Sequence, residues 1–418
     1  MSDAIIINSK EYSGECTCGR VHGMTTEFCI IEAGCMKRFS EYASRYGLCG
    51  FSVAIYDENT YAATSGLRPR ADKEIILPKD GLHADEHGVA LAEAELPREC
   101  DYLIAVGAGT VHDITRYIAH SRNIPFISCP TAASVDGFCS SVAAMTWHGF
   151  KKTFTATAPK IVIADIDIIS RAPRFLTNSG FGDMIGKFIA LSDWKISHIL
   201  TDEYLCQKIY DMTMDATRAV MECAPGIKLD EPAAYQKLVY GLLLSGIAMQ
   251  LLGNSRCASG AEHHVSHFIE MRPAALKSHS DALHGEKVGV GTLLACKEYH
   301  ALACSESISF SDYPSLSEEY FLRIFGKALA DSVIKENANN CAGGISADVL
   351  RDNFGKICEV IDSIPGHGEL LEIYTLLGLK KTLSDIGVAQ SEEKLITEHS
   401  PMVRNRVTLM RLKRCIHT

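Results

Sequence analysis

Hydrophobic positions change their rhythm once along this chain. Up to about residue 170, short apolar runs alternate with segments of helical spacing. The runs at 29–32, 51–56 (FSVAIY), 74–77, 102–106, 125–129 and 161–164 are too short for helices and are bounded by turn-prone residues. Each reads as a strand buried on both faces. Between them, 36–46, 83–96 and 111–120 carry apolar residues at helical spacing. Strands alternating with helices predict a parallel sheet covered on both sides, a Rossmann-like α/β arrangement. Such sheets bind ligands beyond the carboxyl ends of their strands. Residues 1–28 show no period and are expected to be irregular.

Beyond residue 170 the strand signals stop. Ala-, Leu-, Ile- and Met-rich text predicts helices at 180–200, 203–223, 232–252, 256–270, 284–304, 315–335, 346–363, 367–378 and 391–415. The expectation is a nucleotide-binding α/β domain over 1–170 followed by an all-helical domain over 171–418. A chain of 418 residues is too long for one ordinary core, which agrees with two domains. The longest apolar run, 238–253, is shorter than the ~20 residues a bilayer demands, and Gly241, Ser245, Gly246 and Gln250 interrupt it. It reads as a buried core helix.

Composition changes this picture little. Apolar residues make up 47% and charged residues 22%, the balance of a folded chain. A net charge of −10 argues against a nucleic-acid partner, which favours a basic face. The sixteen cysteines are scattered, and the early apolar run at 5–7 lacks the basic flank and length of a signal peptide. Reduced thiols in a cytoplasm are therefore expected. Cys16-Thr-Cys18-Gly-Arg-Val-His22 has the form of half a zinc knuckle, but the matching half is missing. A loop carrying thiols is the favoured reading there, with a structural metal as the alternative.

Four segments carry candidate chemistry. Ala105-Val-Gly107-Ala-Gly109-Thr110-Val-His-Asp113 leaves a strand and opens a helix, where glycines and free N–H groups suit a pyrophosphate. Asp57, at the end of FSVAIY, can accept ribose hydroxyls or simply cap a helix. It precedes the glycine-rich turn by fifty residues, the reverse of the usual Rossmann order. Pro130-Thr131-Ala-Ala-Ser134-Val-Asp136-Gly-Phe-Cys-Ser140 offers small hydroxyls for a cofactor and Asp136 for a polyol hydroxyl. Gly180-Phe-Gly-Asp183-Met-Ile-Gly-Lys187 places a carboxylate where a helix N-terminus would stabilise it.

The densest signal begins at Gly260: GAEHHVSHFIEMRPAALKSHSDALHGEK holds five histidines, among them His263, His264, His267 and His284. His263 and His267 are four apart and share one helix face. Two imidazoles from separate helices plus one carboxylate make a three-residue site for a divalent metal with an open position.

Read in order, GAGTVHD, PTAASVDGF, GFGDMIGK, GAEHHVSH and HGEKVGVG resemble the sn-glycerol-1-phosphate dehydrogenases, most closely their bacterial AraM-type branch. That group lies within the superfamily of iron-containing alcohol dehydrogenases, glycerol dehydrogenases and dehydroquinate synthases. The resemblance spans roughly residues 28–300. It implies a nucleotide domain followed by a helical metal domain, with the reaction in the cleft between them. It implies metal ligands at Asp183, His263 and His284, and substrate contacts at His267 and Asp136. It assigns Gly107, Gly109, Thr110, Asp113, Thr131, Ser134 and Ser140 to the nucleotide and Asp57 to its adenosine end. His264 has no counterpart. Lys152, Lys187 and Arg256 are the candidates for a phosphate.

The implied reaction is reduction of dihydroxyacetone phosphate to sn-glycerol 1-phosphate with NAD or NADP as cofactor. One divalent metal would assist, with zinc and nickel ahead of iron, in a homodimer. The alternatives on the same scaffold are a polyol dehydrogenase and a carbocycle-forming synthase. A catalytically silent binding protein is the alternative of another class.

Overall fold

The computed structural model describes residues 3–147 and 150–418, the side chains of 150–152 excepted. The strands, in chain order, are β1 (Ile5–Asn8), β2 (Gly14–Glu15), β3 (Val21–His22), β4 (Phe28–Glu32), β5 (Ser52–Asp57), β6 (Lys73–Leu77), β7 (Tyr102–Gly107), β8 (Phe126–Pro130), β9 (Val142–Trp147), β10 (Phe150–Thr155) and β11 (Ile161–Asp165). Seven of them form one sheet in the order β1-β4-β11-β8-β7-β5-β6. All neighbours in it are parallel except β1, which runs antiparallel to β4 along the edge. All six expected strands are present; the apolar runs of β5, β7, β8 and β11 mark strands covered on both faces, whereas β6 lies at the other edge and exposes Glu74 and Ile76.

Alternation within a strand divides the core. Ala54, Tyr56, Ile104 and Val106 join Phe39 and Tyr42 on one face. Val53, Ile55, Leu103 and Ala105 meet Val111, Ile114 and Ile118 on the other. The latter three lie on the helix Gly109–Arg122, here α4, after α1 (Phe39–Arg45), α2 (Glu58–Ala63) and α3 (Glu86–Glu95).

Three features depart from the sequence reading. Residues 1–28 are not irregular throughout: β1 adds to the sheet edge, and β2 pairs with β3 in a short hairpin. The stretch after Ser140 forms a second hairpin, β9–β10, which the Thr- and Lys-rich text concealed. Lys152 lies on β10. The expected helix over 391–415 is instead broken into short turns, with α-helix only at Glu393–His399 and Leu409–Leu412. Pro401 interrupts it.

Later helices used below are α5 (Arg174–Ile185), α6 (Lys187–Thr201), α7 (Pro232–Leu252), α8 (Ala261–Met271) and α9 (His284–Ala303). By compactness the chain divides into one unit of residues 1–181 with 218–254 and another of 182–217 with 255–418. The change of text at residue 170 marks where strands end. The compact division instead falls inside α5, and α7 belongs with the sheet because Gln236 of α7 donates to the Ile31 carbonyl of β4. The second unit is helical apart from one two-residue ribbon, Ser309–Phe310 with Ile416–His417. Among the described residues no helix is long and apolar enough to cross a membrane.

Candidate metal centre and nucleotide loops

The second unit gathers the histidine-rich stretch. α8 and α9 pack side by side, and α5 reaches α9 through Gly182. A Cβ at Gly182 would lie 2.5 Å from the Gly285 carbonyl oxygen, so only glycine lets these backbones approach so closely. Asp183 is the next residue.

Asp183, His263 and His284 each offer one ligand atom, and the three atoms lie within 4.8 Å of one another. His263 Nε2 is 3.5 Å from Asp183 Oδ1. The rings of His263, His267 and His284 form a triangle with centroids 5.4–5.9 Å apart.

Each ligand histidine is held from behind. His263 Nδ1 donates to Glu262 Oε1 at 2.6 Å, and His284 Nδ1 donates to Glu270 Oε1 at 3.0 Å. A carboxylate only accepts, so Nδ1 keeps its proton, and Nε2 is the nitrogen of each ring that would meet a cation. The donor set of two imidazoles and one carboxylate therefore fits a divalent metal on its own chemistry.

Electrostatics agree. Burial works against a charged Asp183, but the Lys187 ammonium, 2.9 Å away, and His263 outweigh it and hold the carboxyl well below its usual range. Burial and Lys187 push His263 down, while Asp183 and Glu262 lift it to about 9. His267 is pushed well below the ordinary histidine value by burial, against the pull of Glu270. Its Nδ1 is buried and has no hydrogen-bond partner among the described residues. Burial thus keeps this imidazole neutral.

The first unit holds the nucleotide candidates. Asp57, Gly107 and Pro130 end the neighbouring strands β5, β7 and β8 on the carboxyl edge of the sheet. The helix after β7 begins at Gly109 with no side-chain cap, so its first N–H groups have no side chain to satisfy them. Thr110 stands in its first turn, and the Thr131 N–H donates to the Gly107 carbonyl. Gly107 is fixed by packing, since a Cβ there would meet Val111 at 2.6 Å. Ser134 Oγ is buried without a partner among the described residues. Asp136 accepts from Ser245 Oγ at 2.9 Å.

Other expected residues have structural duties. Asp57 caps α2 through the Thr60 N–H at 2.8 Å. Asp113 pairs with the buried Arg116, which also reaches the Gly137 carbonyl and so ties α4 to the 136–139 turn. The Ser140 hydroxyl is engaged by Val142 of its own turn.

Two expectations need correction. Asp183 is neither a helix cap nor at a helix N-terminus. It lies in the last turn of α5, and Lys187 and His263 stabilise it instead. Arg256 is buried and clamps Glu203 with the backbone carbonyls of Asp193 and Val407, so it serves packing and not a phosphate.

Sequence reasoning missed Glu262 and Glu270, and took Lys187 only as a phosphate candidate. Glu270 is three residues after His267 and Lys187 four after Asp183, spacings that put each pair on one helix face.

A profile described as "Iron-containing alcohol dehydrogenase" matches residues 30–173. A glycerol-1-phosphate dehydrogenase [NAD(P)+] of Halalkalibacterium halodurans is 33% identical over 419 aligned positions, covering 97% of each chain. The chain belongs to the glycerol-1-phosphate dehydrogenase family. A second member, from Geobacillus stearothermophilus, is 34% identical over 410 positions, covering 95% of this chain and 94% of that one. Among solved structures, a sulfoacetaldehyde reductase of Bifidobacterium kashiwanohense in complex with NAD+ shares the fold with a TM-score of 0.59 at 13% identity, covering 93% of this chain and 95% of that one. The match to this family thus takes in the C-terminal region beyond the motifs.

Proposed function

We propose that this protein reduces dihydroxyacetone phosphate to sn-glycerol 1-phosphate, reversibly, with NADH or NADPH. The observation that carries the reading, beside family membership, is the pair of carboxylate-tethered histidines that gather with Asp183, one ligand atom from each within 4.8 Å of the others.

In this proposal Asp183, His263 and His284 would hold one divalent ion. Carbonyl polarisation comes with that ion, and hydride with the nicotinamide, when each is bound. Glu262 and Glu270 fix the two rings by holding the Nδ1 protons, so that Nε2 is the nitrogen that would meet the ion. His267, neutral and beside both ligand rings, is the group that moves a proton at the substrate oxygen. Asp136, oriented by Ser245, accepts a substrate hydroxyl. Gly109 and Thr110 at the start of α4 present N–H groups to the pyrophosphate, Thr131, Ser134 and Ser140 line the nucleotide loop, Asp113 braces it, and Asp57 takes the ribose.

A homodimer and a cytoplasmic location belong to the same proposal. Sedimentation equilibrium would give the mass of the assembly.

The test is oxidation of NADH and NADPH by metal-stripped protein, with zinc, nickel or iron(II) restored. Dihydroxyacetone phosphate is compared with dihydroxyacetone. Turnover of the phosphorylated ketone alone is expected. Preference for the unphosphorylated ketone would turn the assignment to a polyol dehydrogenase. Asp183→Asn should stay folded and lose both metal and activity; an active variant without metal would overturn the ligand set.

A further inference from the structure

The N-terminal hairpin β2–β3 has almost no core. Gly14, Glu15 and Val21 are exposed, Val21 by 75%, and the one buried side chain of either strand is His22. Isolated two-stranded hairpins are marginal at best in water, so something else must hold this one.

The geometry of the turn shows what. The Cys16 N–H donates to the Arg20 carbonyl, the Gly19 N–H returns to the Cys16 carbonyl, and Gly19 has φ +83°. This left-handed residue, which favours glycine, curls the chain so that Cys16 and Cys18 face the same side as His22. The two sulfurs and a ring nitrogen of His22 lie within 4.8 Å of one another. Cys18 Sγ is 3.3 Å from His22 Nε2. Zinc at ~2.3 Å from sulfur and ~2.0 Å from nitrogen in a tetrahedron sets that edge near 3.5 Å.

His22 is also aimed. Its Nδ1 donates to the Leu251 carbonyl at 2.8 Å. A carbonyl only accepts, so the proton is on Nδ1 and the Nε2 lone pair points at the thiols, the arrangement of a metal-bound histidine. Close by, the N–H groups of Thr25 and Thr26 meet Gln250 Oε1 at 2.8 and 3.2 Å. The hairpin is thereby tied to the end of α7.

We propose that Cys16, Cys18 and His22 bind zinc, which fastens the N-terminal hairpin to α7. Two thiolates and one imidazole favour this ion over the harder cations. The fourth position is left to water or a further donor. This site is separate from the Asp183, His263 and His284 ligands and does not depend on the reaction assigned above.

Cobalt(II) supplies the first test. Added to chelator-stripped protein, it should give a thiolate-to-cobalt charge-transfer band in the near ultraviolet. Asp183, His263 and His284 contain no thiol and cannot produce it. The band should persist in His263→Gln and vanish in the Cys16→Ser/Cys18→Ser variant.

The second test needs no variant. With zinc bound, Cys16 and Cys18 should resist alkylation by iodoacetamide at least tenfold better than after chelation. The exposed Cys49 and Cys304 serve as controls. Absence of the band in wild-type protein, or equal alkylation of Cys16 and Cys18 with and without zinc, would overturn the proposal.

Discussion

Replacing Glu262 by Gln asks whether the charge behind His263 tunes the metal centre. Glu262 Oε1 accepts from His263 Nδ1 at 2.6 Å and from the Gly260 N–H at 2.9 Å. Gln has the same length and keeps an acceptor oxygen, so the substitution removes little but the negative charge. A hydrogen bond to a charged partner contributes about 1.5–3 kcal/mol and a neutral one about 0.5–1.5. The difference, about 1–1.5 kcal/mol, is the support that makes His263 Nε2 a stronger donor, and it corresponds to roughly tenfold in affinity. Glu262→Ala goes further. It leaves two buried N–H groups without an acceptor and lets the ring turn, so the loss should approach about a hundredfold. The assay is zinc competition against a chelator of known affinity on stripped protein, with urea unfolding to confirm the fold. Zinc binding by Glu262→Gln within twofold of wild type would refute the argument. Equal losses in Gln and Ala would show that charge alone, and not the tether, sets the affinity.

His267→Ala should keep its metal and lose turnover by about 10²–10⁴-fold, the usual range for a proton-transfer group; unchanged kcat would remove His267 from the chemistry. Gly182→Ala should push α5 away from α9 and cost about 1–3 kcal/mol, with weaker metal binding, as urea unfolding and zinc titration would show. His263, at about 9 without metal, must give up its proton to coordinate, so metal affinity should fall as pH drops below 9. Calorimetry in buffers of different ionisation enthalpy should find close to one proton released per metal at pH 7. His112 makes the protein acid-sensitive: buried and beside Arg116, it is lowered to about 3 from an ordinary 6.5. The unfolded chain binds that proton below 6.5 and the folded one does not. This contribution is therefore intact above 6.5 and drains away as pH falls toward 3, by about 1.4 kcal/mol per pH unit. Urea midpoints at pH 7, 6 and 5 should show a shallower pH dependence for His112→Gln than for wild type.

How much of this was legible in the sequence follows from the range of each interaction. The sheet was legible because β5, β7, β8 and β11 are buried on both faces and must be apolar throughout. β1 was not: its apolar run is only three residues long, too short to mark a strand by itself, and at the edge beside β4 it buries Ile7 while exposing Ile6. The hairpin β9–β10 is likewise written in small and polar residues, and its packing comes from Tyr117 on α4 against Trp147 and Phe154. The tail over 391–415 has helical composition, but Arg411 sits buried among the carbonyls of Pro401 and Arg404 and the side chain of Asn337. Those long-range bonds replace the helical ones, and local propensity could not foresee them.

The site divides the same way. The candidate metal ligands could be named from the sequence because chemistry restricts such ligands to few residue types, and the fold brings the three together. Their supports could not, because any carboxylate reads as a solvated surface charge until the fold buries it. Glu262 immediately precedes His263, and neighbours on a helix do not normally face each other. It reaches back because Gly260 and Gly186 leave room: a Cβ on either would stand within about 3 Å of the Glu262 side chain. The consequence is a count of charge that no single motif reveals. Asp183, Glu262 and Glu270 bring three carboxylates, against the ammonium groups of Lys187 and Lys287. With His263 still protonated these charges balance, and when that proton leaves the ligands are left with one net negative charge to meet the cation. A divalent ion turns that into one net positive charge, which favours an anionic substrate over a neutral one. Lys187 matters for the second state more than the first: without it the loaded centre would be neutral, and the preference for a phosphorylated ketone would lose its electrostatic basis there.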